Sequence, residues 1–594
     1  MKDITNHRPL LSAAAALGFC LLCCKDNEVT GTEIHPDFVV RSSGFAEGDT
    51  IFFENTTTGT DDANVQWHWS FGNGRSSAER EPYTLYDTAG SYVIELSVTA
   101  QRGAAASKKD TITIHRKENP PLHLQKPVIA FSLSLPADYY DGPAVYAGTP
   151  LKFTDRSVDD GAITLQQWTF DHAETRQGKV VEYTFEHPGE HTVTLQVTDN
   201  DGLSSDTTFS INVEGVEFTP WKPGYLDIHH INTGRGDASF FLFPDGTNML
   251  FDAGDKDVPG SGSNPDFAIH PDGSKTPGEW IADYLTRFIP DGFPRKIDYT
   301  VVSHFHVDHL GRINNNSPRS AYGNYQLGGI TQVGELIPMS KIIDRDYPTY
   351  QFPVDLSDDR DDIENYIRFL RYHQANRGME VERIAVGISS QIVPVHSTSY
   401  DFRVTNLYAA GEFGTDGREN HQHTFSPPLV NDKGEWNDNP LSIALKIEYG
   451  PFDYYTGGDI TGQESWPDYD IETPLGKRIG EVDAMAVNHH GYKDATNQNF
   501  VNALTPQVAI QQTSNTNHVN LGVVSRLKSV GADLYISNIA QIYAVSAIAR
   551  EYKSLEGHVV IRVYEGGRTF DVFVLSDRVP SAPGIKKFGP YQCR

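Results

Sequence analysis

Cysteine is scarce in this sequence, and the positions of the few cysteines exclude a fold held together by disulfides. Four of the 594 residues are cysteine, and three of these, Cys20, Cys23 and Cys24, lie in one short segment near the first residue. If that segment is removed on export, one thiol, Cys593, is left and no disulfide framework can form. Basic residues are outnumbered as well, and the net charge of −29 disfavours non-specific binding to nucleic acid or to anionic membranes.

A long apolar segment is also missing from the beginning of the chain, where the run from Leu10 to Leu22 is too short to span a bilayer. Such a run after a positively charged start is typical of a secretion signal, here in residues 1–24. It ends in two cysteines and resembles a bacterial lipobox with Cys24 as the lipidated residue. The charged segment Lys25–Glu28 resembles a sorting signal of Gram-negative surface lipoproteins. We therefore expect an exported outer-membrane or cell-surface lipoprotein that contacts the membrane only through a lipid anchor; the alternative is a simple cleaved signal on a periplasmic or secreted protein.

An internal repeat occupies the first third of the chain. Tryptophan, aromatic, glycine and leucine positions recur at an offset of 99 residues, in the pairs Trp69/Trp168, Tyr86/Phe185, Gly90/Gly189 and Leu96/Leu195. Apolar residues alternate from Tyr92 to Val98, which predicts a half-buried strand rather than a helix. Short strands between Gly, Asp and Asn turns favour a β-sandwich for each copy, in which the tryptophan is most simply a core anchor rather than a ligand platform.

The two copies resemble the PKD family through the turn Trp69-Ser70-Phe71-Gly72-Asn73-Gly74 and the strand that follows Ala89. We expect PKD-like domains at residues 35–116 and 126–214, joined by a short stiff linker. The second copy departs from the family at Asp171-His172-Ala173, where the glycine-rich turn is absent. The resemblance implies a spacer, or a surface for glycan or protein contacts, on an exported enzyme.

A cluster of potential metal ligands follows an apolar run at Tyr299–Val302, which predicts a buried strand. Four ligand-type side chains fall within six residues, at His304, His306, Asp308 and His309. Histidines two residues apart can reach one metal, and the Asp-His pair beyond the turn can serve a second one. Two more predicted strands end in ligand-type residues, at Gly457-Gly458-Asp459 and at Asn488-His489-His490-Gly491. Clustering of this kind is typical of a metal site.

Together with Asp252, these motifs resemble those of the metallo-β-lactamase superfamily. Within it, they are similar to the branch that contains the extracellular hydrolase domain of the competence protein ComEC, through Gly234–Ala238, Asn439–Leu445 and Asn515–His518. The resemblance implies a hydrolase domain at residues 222–594. The predicted fold class is therefore multidomain: two all-β PKD-type sandwiches followed by an αββα metallo-β-lactamase-fold domain.

The resemblance also implies two zinc ions, although sites with mixed nitrogen and oxygen donors also accept manganese or iron. The predicted metal ligands are His304 and His306 for the first ion, Asp308, His309 and one of His489 and His490 for the second, and Asp459 as the bridge between them. Asp308 would also orient a water and accept its proton, and Asp252 would support a ligand histidine. His518 would act as a general acid or contact the substrate; its simpler interpretation is a histidine at the start of a helix.

A further histidine that many superfamily members use as a ligand has no clear counterpart in this sequence. The candidates His396, His421 and His423 lie in the segment 312–437, where each is most simply a solvated loop histidine. His229 and His230 lie in a predicted strand and are interpreted as structural. A site with one weakly held metal is therefore an alternative to a complete pair.

The leading hypothesis is an exported metal-dependent hydrolase that uses a metal-activated water on a phosphodiester, small or polymeric, at the cell surface. The acidic net charge makes a long nucleic acid the weaker candidate substrate. One alternative is hydrolysis of an ester, a lactone or a β-lactam by the same metal pair. Another is a surface binding protein in which the PKD domains contact the partner and the metal site is vestigial.

Overall fold

The structure, a computed structural model, divides the chain into two compact units, Met1–Pro121 and Leu122–Arg594. The lipoprotein signal predicted for residues 1–24 lies outside the described residues. No helix among the described residues is long and apolar enough to cross a membrane. The structure describes residues 34–42, 44–59, 65–100, 105–117, 125–136, 144–256, 268–356, 361–414, 421–544 and 546–594.

The first unit contains a β-sandwich. Its strands are β1 (Phe38–Arg41), β2 (Thr50–Asn55), β3 (Val65–Ser70), β4 (Ser76–Ser77), β5 (Tyr83–Leu85), β6 (Gly90–Ala100) and β7 (Ala105–Ile114). They form a three-stranded sheet, β1-β2-β5, and a four-stranded sheet, β4-β3-β6-β7. Buried side chains from both sheets, among them Phe53, Trp69 and Leu96, form one core.

A second β-sandwich begins the second unit. Its strands are β8 (Phe131–Ser134), β9 (Val145–Tyr146), β10 (Pro150–Asp155), β11 (Ile163–Phe170), β12 (Glu174–Gln177), β13 (Val180–Thr184), β14 (Gly189–Asp199) and β15 (Ser204–Glu214). They form the sheets β13-β10-β8 and β12-β11-β14-β15-β9. Phe153, Trp168 and Leu195 lie in its core, at positions that correspond to those of the first sandwich.

The recurring tryptophan is a core anchor in both sandwiches, as predicted. Trp69 and Trp168 are fully buried, and each indole Nε1 donates to a backbone carbonyl, at 3.0 Å and 3.1 Å respectively. Where the second copy lacks the glycine-rich turn, Asp171 and His172 adopt left-handed φ angles of 48° and 58°. Gly72 has a comparable φ of 72° in the first copy. The left-handed conformation at this position is thus kept although the glycine is lost, since Asp tolerates it better than most residues. The next left-handed residue differs between the copies, since it is Gly74 in the first and His172 in the second.

The rest of the second unit is mixed α/β. Its strands are β16 (Leu226–His230), β17 (Ser239–Leu242), β18 (Asn248–Phe251), β19 (Ile297–Val301), β20 (Met339–Asp344), β21 (Glu380–Arg383), β22 (Phe402–Ala409), β23 (Glu412–Phe413), β24 (His421–Gln422), β25 (Ala444–Tyr449), β26 (Phe452–Thr456), β27 (Ala484–Ala486), β28 (Val508–Gln511), β29 (Asp533–Ile536), β30 (Tyr552–Ser554), β31 (His558–Val563), β32 (Thr569–Leu575) and β33 (Gly584–Gln592). Its helices are α1 (Pro277–Phe288), α2 (Val307–Leu310), α3 (Ile330–Leu336), α4 (Asp361–Arg377), α5 (Glu472–Ile479), α6 (Gln498–Leu504), α7 (Leu521–Ser529) and α8 (Gln541–Ala544).

These strands form two nine-stranded sheets, ordered β21-β20-β19-β18-β17-β16-β31-β32-β33 and β24-β23-β22-β25-β26-β27-β28-β29-β30. Because successive strand residues point to opposite faces, Phe240 packs in the core under α1, α3 and α4, whereas Phe241 packs in the core between the sheets. A third core lies between the second sheet and helices α5, α6 and α7. The layers therefore run helix, sheet, sheet, helix, and both faces of each sheet are buried.

Parallel pairing brings several strand ends to one edge of each sheet. In the first sheet β18 pairs in parallel with β19, and in the second sheet β26 pairs in parallel with β27, which pairs in parallel with β28. The segments that leave the carboxyl ends of such strands meet beside one another, which is where sites form in layered α/β proteins. The ligand-type motifs predicted from sequence all follow strands of this kind.

The segment 312–437, whose histidines were interpreted from sequence as solvated loop residues, contains regular structure in its described residues. It includes α3, α4 and the strands β20 to β24. Strands β20 and β21 extend the first sheet, and strands β22 to β24 extend the second. The sequence signal was weak because short strands at the end of a sheet carry few alternating positions.

The second sandwich packs directly against the mixed α/β part. Ser576 Oγ donates to the carbonyl of Gly148 at 3.3 Å, and the Val216 N–H donates to the carbonyl of Gly584 at 3.1 Å. Lys586 Nζ lies 5.2 Å from the centroid of the Tyr146 ring. The second sandwich is therefore a docked part of the unit rather than a free spacer.

Gly148 is a sharp test of this docking, because its φ is 80° and an added Cβ would lie 2.6 Å from Ser576 Oγ. Gly202 is a matched control in the same sandwich, with a φ of 82° and no atom within 4 Å of an added Cβ. The left-handed backbone alone costs an alanine about 1 kcal/mol. We expect Gly148→Ala to lower the free energy of unfolding by clearly more than Gly202→Ala in denaturant titrations of the whole chain. Equal losses would contradict a tight docking contact.

Candidate metal centre

The histidine-rich segment, His304–His309, follows β19 and runs into α2. Its second residue, Phe305, donates its N–H to Asp438 Oδ2 at 2.6 Å, and Asp438 Oδ1 pairs with the guanidinium of Arg345. Arg345 is fully buried and packs over the Phe305 ring. Separating such a pair would leave a buried charge without its partner, which is costly. Because Asp438 also accepts the Phe305 N–H, the ion pair fixes the backbone between His304 and His306.

Asp252 supports two histidines of the segment. Its carboxylate accepts hydrogen bonds from the Ser303 N–H at 2.7 Å, from Ser303 Oγ at 2.6 Å and from His309 Nδ1 at 2.9 Å. Ser303 Oγ also lies 3.1 Å from His304 Nδ1. With Nδ1 carrying the proton, the Nε2 atom of each histidine presents a lone pair, which is the form that binds metal. The φ of Asp252 is 61°, a costly conformation that these bonds hold in place.

The backbone around Asp308 and His309 is clamped by two other segments. The Ala253 N–H donates to the carbonyl of His309 at 2.9 Å, and the Asp237 N–H donates to the carbonyl of Asp308 at 2.8 Å. An added Cβ at Gly254 would lie 1.8 Å from the Asp308 carbonyl oxygen. Glycine is therefore required at this position for the three segments to approach one another.

Asp459 lies at the middle of the site. It follows β26, is buried, and has an Oδ1 atom with no hydrogen-bond partner among the described residues. Oδ1 lies 3.1 Å from His309 Nε2, and Oδ2 lies 3.7 Å from His304 Nε2. Burial raises the pKa of Asp459, but His309, His490 and His489 reverse this and bring its pKa well below the ordinary value. Asp459 is thus a carboxylate that faces both halves of the site.

His489 and His490 turn towards different halves of the site because both have left-handed backbones, with φ angles of 46° and 53°. His490 Nε2 lies 3.3 Å from His309 Nε2, and His489 Nε2 lies 3.7 Å from Asp459 Oδ2. The sequence motif left open which of the two is the ligand. The structure brings both side chains to the site.

Each of the two is held by its own carboxylate. His489 Nδ1 bonds to Asp494 Oδ1 at 2.7 Å, and His490 Nδ1 bonds to Asp237 Oδ1 at 2.9 Å. As with His309, the proton then sits on Nδ1 and the Nε2 lone pair points into the site. Sequence reasoning missed both carboxylates, because they lie far from the histidine cluster along the chain or outside its motif.

The ligand-type atoms fall into two groups: His304, His306 and Asp459 form the first, and Asp237, His309 and His490 form the second. Asp459 also faces the second group, since its carboxylate oxygens lie 3.1 Å from His309 Nε2 and 3.4 Å from His490 Nε2. Asp308 Oδ2 lies 3.6 Å from His490 Nε2, whereas Asp237 is engaged at Nδ1 on the other side of that ring. Asp308 is therefore the better placed ligand of the second group, and Asp237 the support. His489 Nε2 and His304 Nε2 each lie 3.7 Å from Asp459 Oδ2, so His489 lies beside the first group; the same oxygen is 3.4 Å from His490 Nε2.

The donor set fits divalent cations. In the neutral rings, with the proton on Nδ1, His309 Nε2 and His490 Nε2 both present lone pairs, yet they lie 3.3 Å apart with Asp459 Oδ1 3.1 Å from the former. Acceptor atoms at such distances need a positive charge between them. Burial lowers the pKa of His309, but Asp459 and Asp252 raise it well above its ordinary value. Protons or metal ions can supply that charge, and imidazole with carboxylate is a donor set that zinc accepts.

A buried network holds the loop that carries His489 and His490. Asn488 Nδ2 donates to Glu472 Oε1 at 2.7 Å, and Asn488 Oδ1 accepts from the Tyr455 hydroxyl at 3.0 Å. Burial raises the pKa of Glu472 to about 7, although Asn488 and the Asn497 and Thr496 N–H groups lower it. Helix α5 thus fixes the loop through a single buried side chain.

His518 lies beside the second group. Its ring packs parallel to the His490 ring, with centroids 4.3 Å apart and an interplanar angle of 6°. The Ser514 N–H donates to His518 Nδ1 at 3.3 Å, which leaves the ring proton on Nε2. Burial and the neighbouring His490 hold the pKa of His518 well below its ordinary value. The ring is therefore a neutral Nε2–H donor.

The other histidines weighed from sequence, where their side chains are described, have contacts of their own. His396 packs against Phe293, and His423 packs against Phe425; His421 lies in β24, and its side chain is outside the described residues. His229 Nδ1 and His230 Nε2 bond to the hydroxyls of tyrosines in the core, at 2.9 Å and 2.8 Å. The histidine that lies beside the first group is His489, whose Nε2 is 3.7 Å from Asp459 Oδ2, although the sequence motif predicted His489 or His490 as a ligand of the second ion.

Lys256 is a further residue that the motifs did not reveal. Its Nζ lies 4.0 Å from Asp308 Oδ2, and its side chain is 27% exposed. Lys256 lies four residues after Asp252 and far from the histidine cluster along the chain. The motifs therefore gave no sign that it lies beside Asp308. The Lys256 ammonium group therefore lies at the edge of the site, in contact with both Asp308 and the solvent.

Models described as the PKD domain match residues 36–114 and 133–212. The chain therefore contains two PKD domains, and the candidate metal centre lies outside both ranges. The pre-pro-metalloprotease PrtV of two Vibrio cholerae serotype O1 strains is 29% identical over 188 residues, which is 32% of this chain. The chain spans 18% of the length of these curated relatives.

Two solved structures are similar to parts of the chain. The PKD1 domain of Vibrio anguillarum Epp is 25% identical and corresponds to 15% of this chain and 99% of that one, with a TM-score of 0.13. The PKD1 domain of the Vibrio cholerae metalloprotease PrtV is 30% identical and corresponds to 14% of this chain and 98% of that one, with a TM-score of 0.13.

The supporting carboxylates give a test that separates the two groups. We expect Asp494→Ala to weaken metal binding at the first group, and Asp237→Ala at the second, by about 10-fold to 100-fold, because each histidine loses the partner that fixes its tautomer and orientation. Competition between the protein and a chromophoric chelator for Zn²⁺ measures both affinities. Asp291→Ala is the control, since its carboxylate is fully exposed. Unchanged affinities in both variants would contradict the supporting role.

Proposed function

We propose that the mixed α/β part of the second unit, from about residue 222, is a metal-dependent hydrolase domain of the metallo-β-lactamase type. The observation that carries this proposal is the pair of ligand groups that Asp459 faces. The helix–sheet–sheet–helix layering and the position of the groups at the ends of parallel strands support it.

The residues that would hold the cations are His304, His306, His489 and Asp459 at the first group, and Asp308, His309, His490 and Asp459 at the second. When bound, a cation pair of this kind supplies Lewis-acid chemistry, which promotes deprotonation of water and stabilises charge on substrate oxygens. Zinc suits the imidazole donors, and manganese or iron is compatible with the carboxylates.

The chain's own residues supply the proton transfers. Asp308 combines a position beside His490 with a location near Lys256, so its carboxylate is placed to orient a water and to accept its proton. His518 stacks on the His490 ring and carries an Nε2–H group, so it is our candidate donor to a leaving oxygen. Because His518 is neutral, it acts as a hydrogen-bond donor before it acts as an acid.

The substrate that we favour is a phosphodiester. Lys256 brings a positive charge to the site, and Lys493 packs its Nζ 5.7 Å from the centroid of the Tyr492 ring, which in turn contacts the His489 ring. An anionic group is attracted by these cations, whereas a neutral ester gains nothing from them. The PKD domains favour an extracellular or surface protein and offer contacts to glycans or proteins.

The enzyme hypothesis is tested by metal content and turnover together. We expect two zinc equivalents per chain and cleavage of bis-p-nitrophenyl phosphate. His306→Ala and Asp459→Ala should lower turnover by about 100-fold or more, since each removes a ligand of the centre. His187→Ala, at an exposed histidine of the second PKD domain, is the control.

Three results would redirect the proposal. Turnover of nitrocefin without cleavage of the diester would favour a β-lactam or ester substrate. A wild-type chain with neither metal nor turnover would overturn the enzyme hypothesis. Specific capture of a glycan by that inactive chain would then favour a surface binding protein.

Lys256 provides the test of substrate charge. We expect Lys256→Met to lower kcat/KM for anionic bis-p-nitrophenyl phosphate by about 10-fold, through the lost attraction of an opposite charge near the surface. The kcat/KM for neutral p-nitrophenyl acetate should stay unchanged. Lys433→Met, at an exposed lysine of the same domain, is the control. An equal loss for both substrates would mean that Lys256 acts through Asp308, and would contradict recognition of charge.

A further inference from the structure

The asparagine-rich segment before β25 places one side chain at the first group. Asn439 begins a short 3-10 turn, Asn439–Leu441, and is 5% exposed. Its Nδ2 atom lies 3.0 Å from His489 Nε2. Its Oδ1 atom is buried and has no hydrogen-bond partner among the described residues. The function proposed above makes no use of this amide.

The orientation of the amide follows from the chemistry of His489. Asp494 accepts the proton on His489 Nδ1 at 2.7 Å, so in the neutral ring, the form that binds metal, Nε2 presents a lone pair. Only the NH₂ end of Asn439 can face a lone pair favourably. The NH₂ group of Asn439 therefore faces the same His489 lone pair that a cation of the first group would bind.

Metal binding at His489 takes away the partner of Asn439. The same lone pair cannot serve both a cation and the Asn439 NH₂ group. Once the cation binds, the amide keeps a buried acceptor without a partner and gains a donor without one, an unfavourable state inside a protein. An oxygen atom of a ligand at the first group is the acceptor within its reach.

The amide is also rigidly placed. The preceding residue, Asp438, is fully buried between the Phe305 N–H and the Arg345 guanidinium. The Asn439 N–H donates to Asn437 Oδ1 at 3.2 Å, and the Tyr408 hydroxyl donates to the Pro440 carbonyl at 2.6 Å. Fixed donors that need no reorganisation are the ones that contribute most to binding developing negative charge.

We propose that Asn439 is a substrate-contacting residue, whose side-chain NH₂ group donates a hydrogen bond to a non-bridging oxygen of the phosphoryl group at the first half of the site. This inference rests on the proposed function. A substrate contact of this kind would make Asn439 a determinant of specificity. A tetrahedral phosphoryl group has several oxygens, so one can face Asn439 while another faces Lys256 beside Asp308.

A purely structural role makes a different prediction. If Asn439 served only to hold His489, its loss would lower the affinity of the first group for its cation. The affinity of the chains that still hold both cations for an anion would then stay unchanged. If Asn439 contacts the substrate, metal content stays intact and anion binding falls. Metal content and the binding of inorganic phosphate therefore separate the two roles without reference to turnover.

The experiment uses the full chain loaded with zinc and compares Asn439→Ala, Asn439→Asp and Asn502→Ala, the last at an exposed asparagine of α6. Asn439→Asp keeps the size of the side chain and exchanges the donor for a negative charge, so it guards against a folding defect of the alanine variant. Zinc stoichiometry, calorimetric titration with inorganic phosphate, and kcat and KM for bis-p-nitrophenyl phosphate are measured for each.

We expect both Asn439 variants to keep two zinc equivalents, to bind phosphate about 10-fold more weakly, and to lose about 10-fold to 100-fold in kcat/KM, as when one donor to a developing charge is removed. Asn502→Ala should match the wild type. Unchanged phosphate binding and kcat/KM, or the loss of one zinc equivalent in both variants, would overturn the inference. A wild type without zinc or turnover overturns the proposed function itself, and the two failures are distinguished because the second does not depend on any variant.

Discussion

The centre depends on one constraint: its inward-facing atoms are nearly all hydrogen-bond acceptors. Asp252, Asp237 and Asp494 each take the Nδ1 proton of a histidine, so the histidines turn their lone pairs inwards. The half-buried Asp308 and the buried Asp459 add two more carboxylates beside these histidines. Lys256 places a cation 4.0 Å from one of these carboxylates, that of Asp308. A buried site with this charge needs positive charge from protons or metal ions, and the fold around it has to hold the acceptors together against their repulsion.

The surrounding structure meets that demand with supports from every direction. The Asp438–Arg345 pair fixes the histidine segment from one side, and Glu472 fixes the loop of His489 and His490 from the other. Close approach of backbones at Gly254 removes the space through which the segment could relax. These contacts bring together residues that are separated by up to about half of the chain, so the site exists only when both sheets have formed.

Sequence reasoning identified the histidine segment, Asp459 and Asp252, because each is a compact motif at the end of a predicted strand. It could not decide between His489 and His490, since the answer depends on two consecutive left-handed residues that no propensity predicts. It missed Asp237 as the partner of His490, because the pair is separated by 253 residues and is defined only by packing. A motif identifies residues that are close together in the sequence. The supporting contacts join residues that are close only in the folded structure, so motifs do not predict them.

The fold shows the same division. The 99-residue repeat and its alternating strands predicted two sandwiches with tryptophan cores, and the PKD matches agree with this. The docking of the second sandwich was not predictable, since it depends on a glycine at Gly148 and on a tyrosine, Tyr146, outside any periodic pattern. The short strands of the segment 312–437 were missed for a related reason: their burial comes from the neighbouring sheets rather than from their own alternation.

Metal binding and folding are coupled in such an arrangement. In the absence of cations, the carboxylates raise the pKa values of His309 and His490 well above the ordinary value, although burial opposes this. Cations must then displace those protons, so metal affinity falls as the pH is lowered. Because the ligands come from both sheets, a cation that binds the native state stabilises the contact between the sheets by mass action. The second sandwich, docked on β33 at the far end of the first sheet, adds stability to the same sheet without entering the centre. Cation binding and the docked PKD domain thus stabilise the same sheet at different places, the former at its strand ends and the latter at β33. The second PKD domain is therefore more than a spacer.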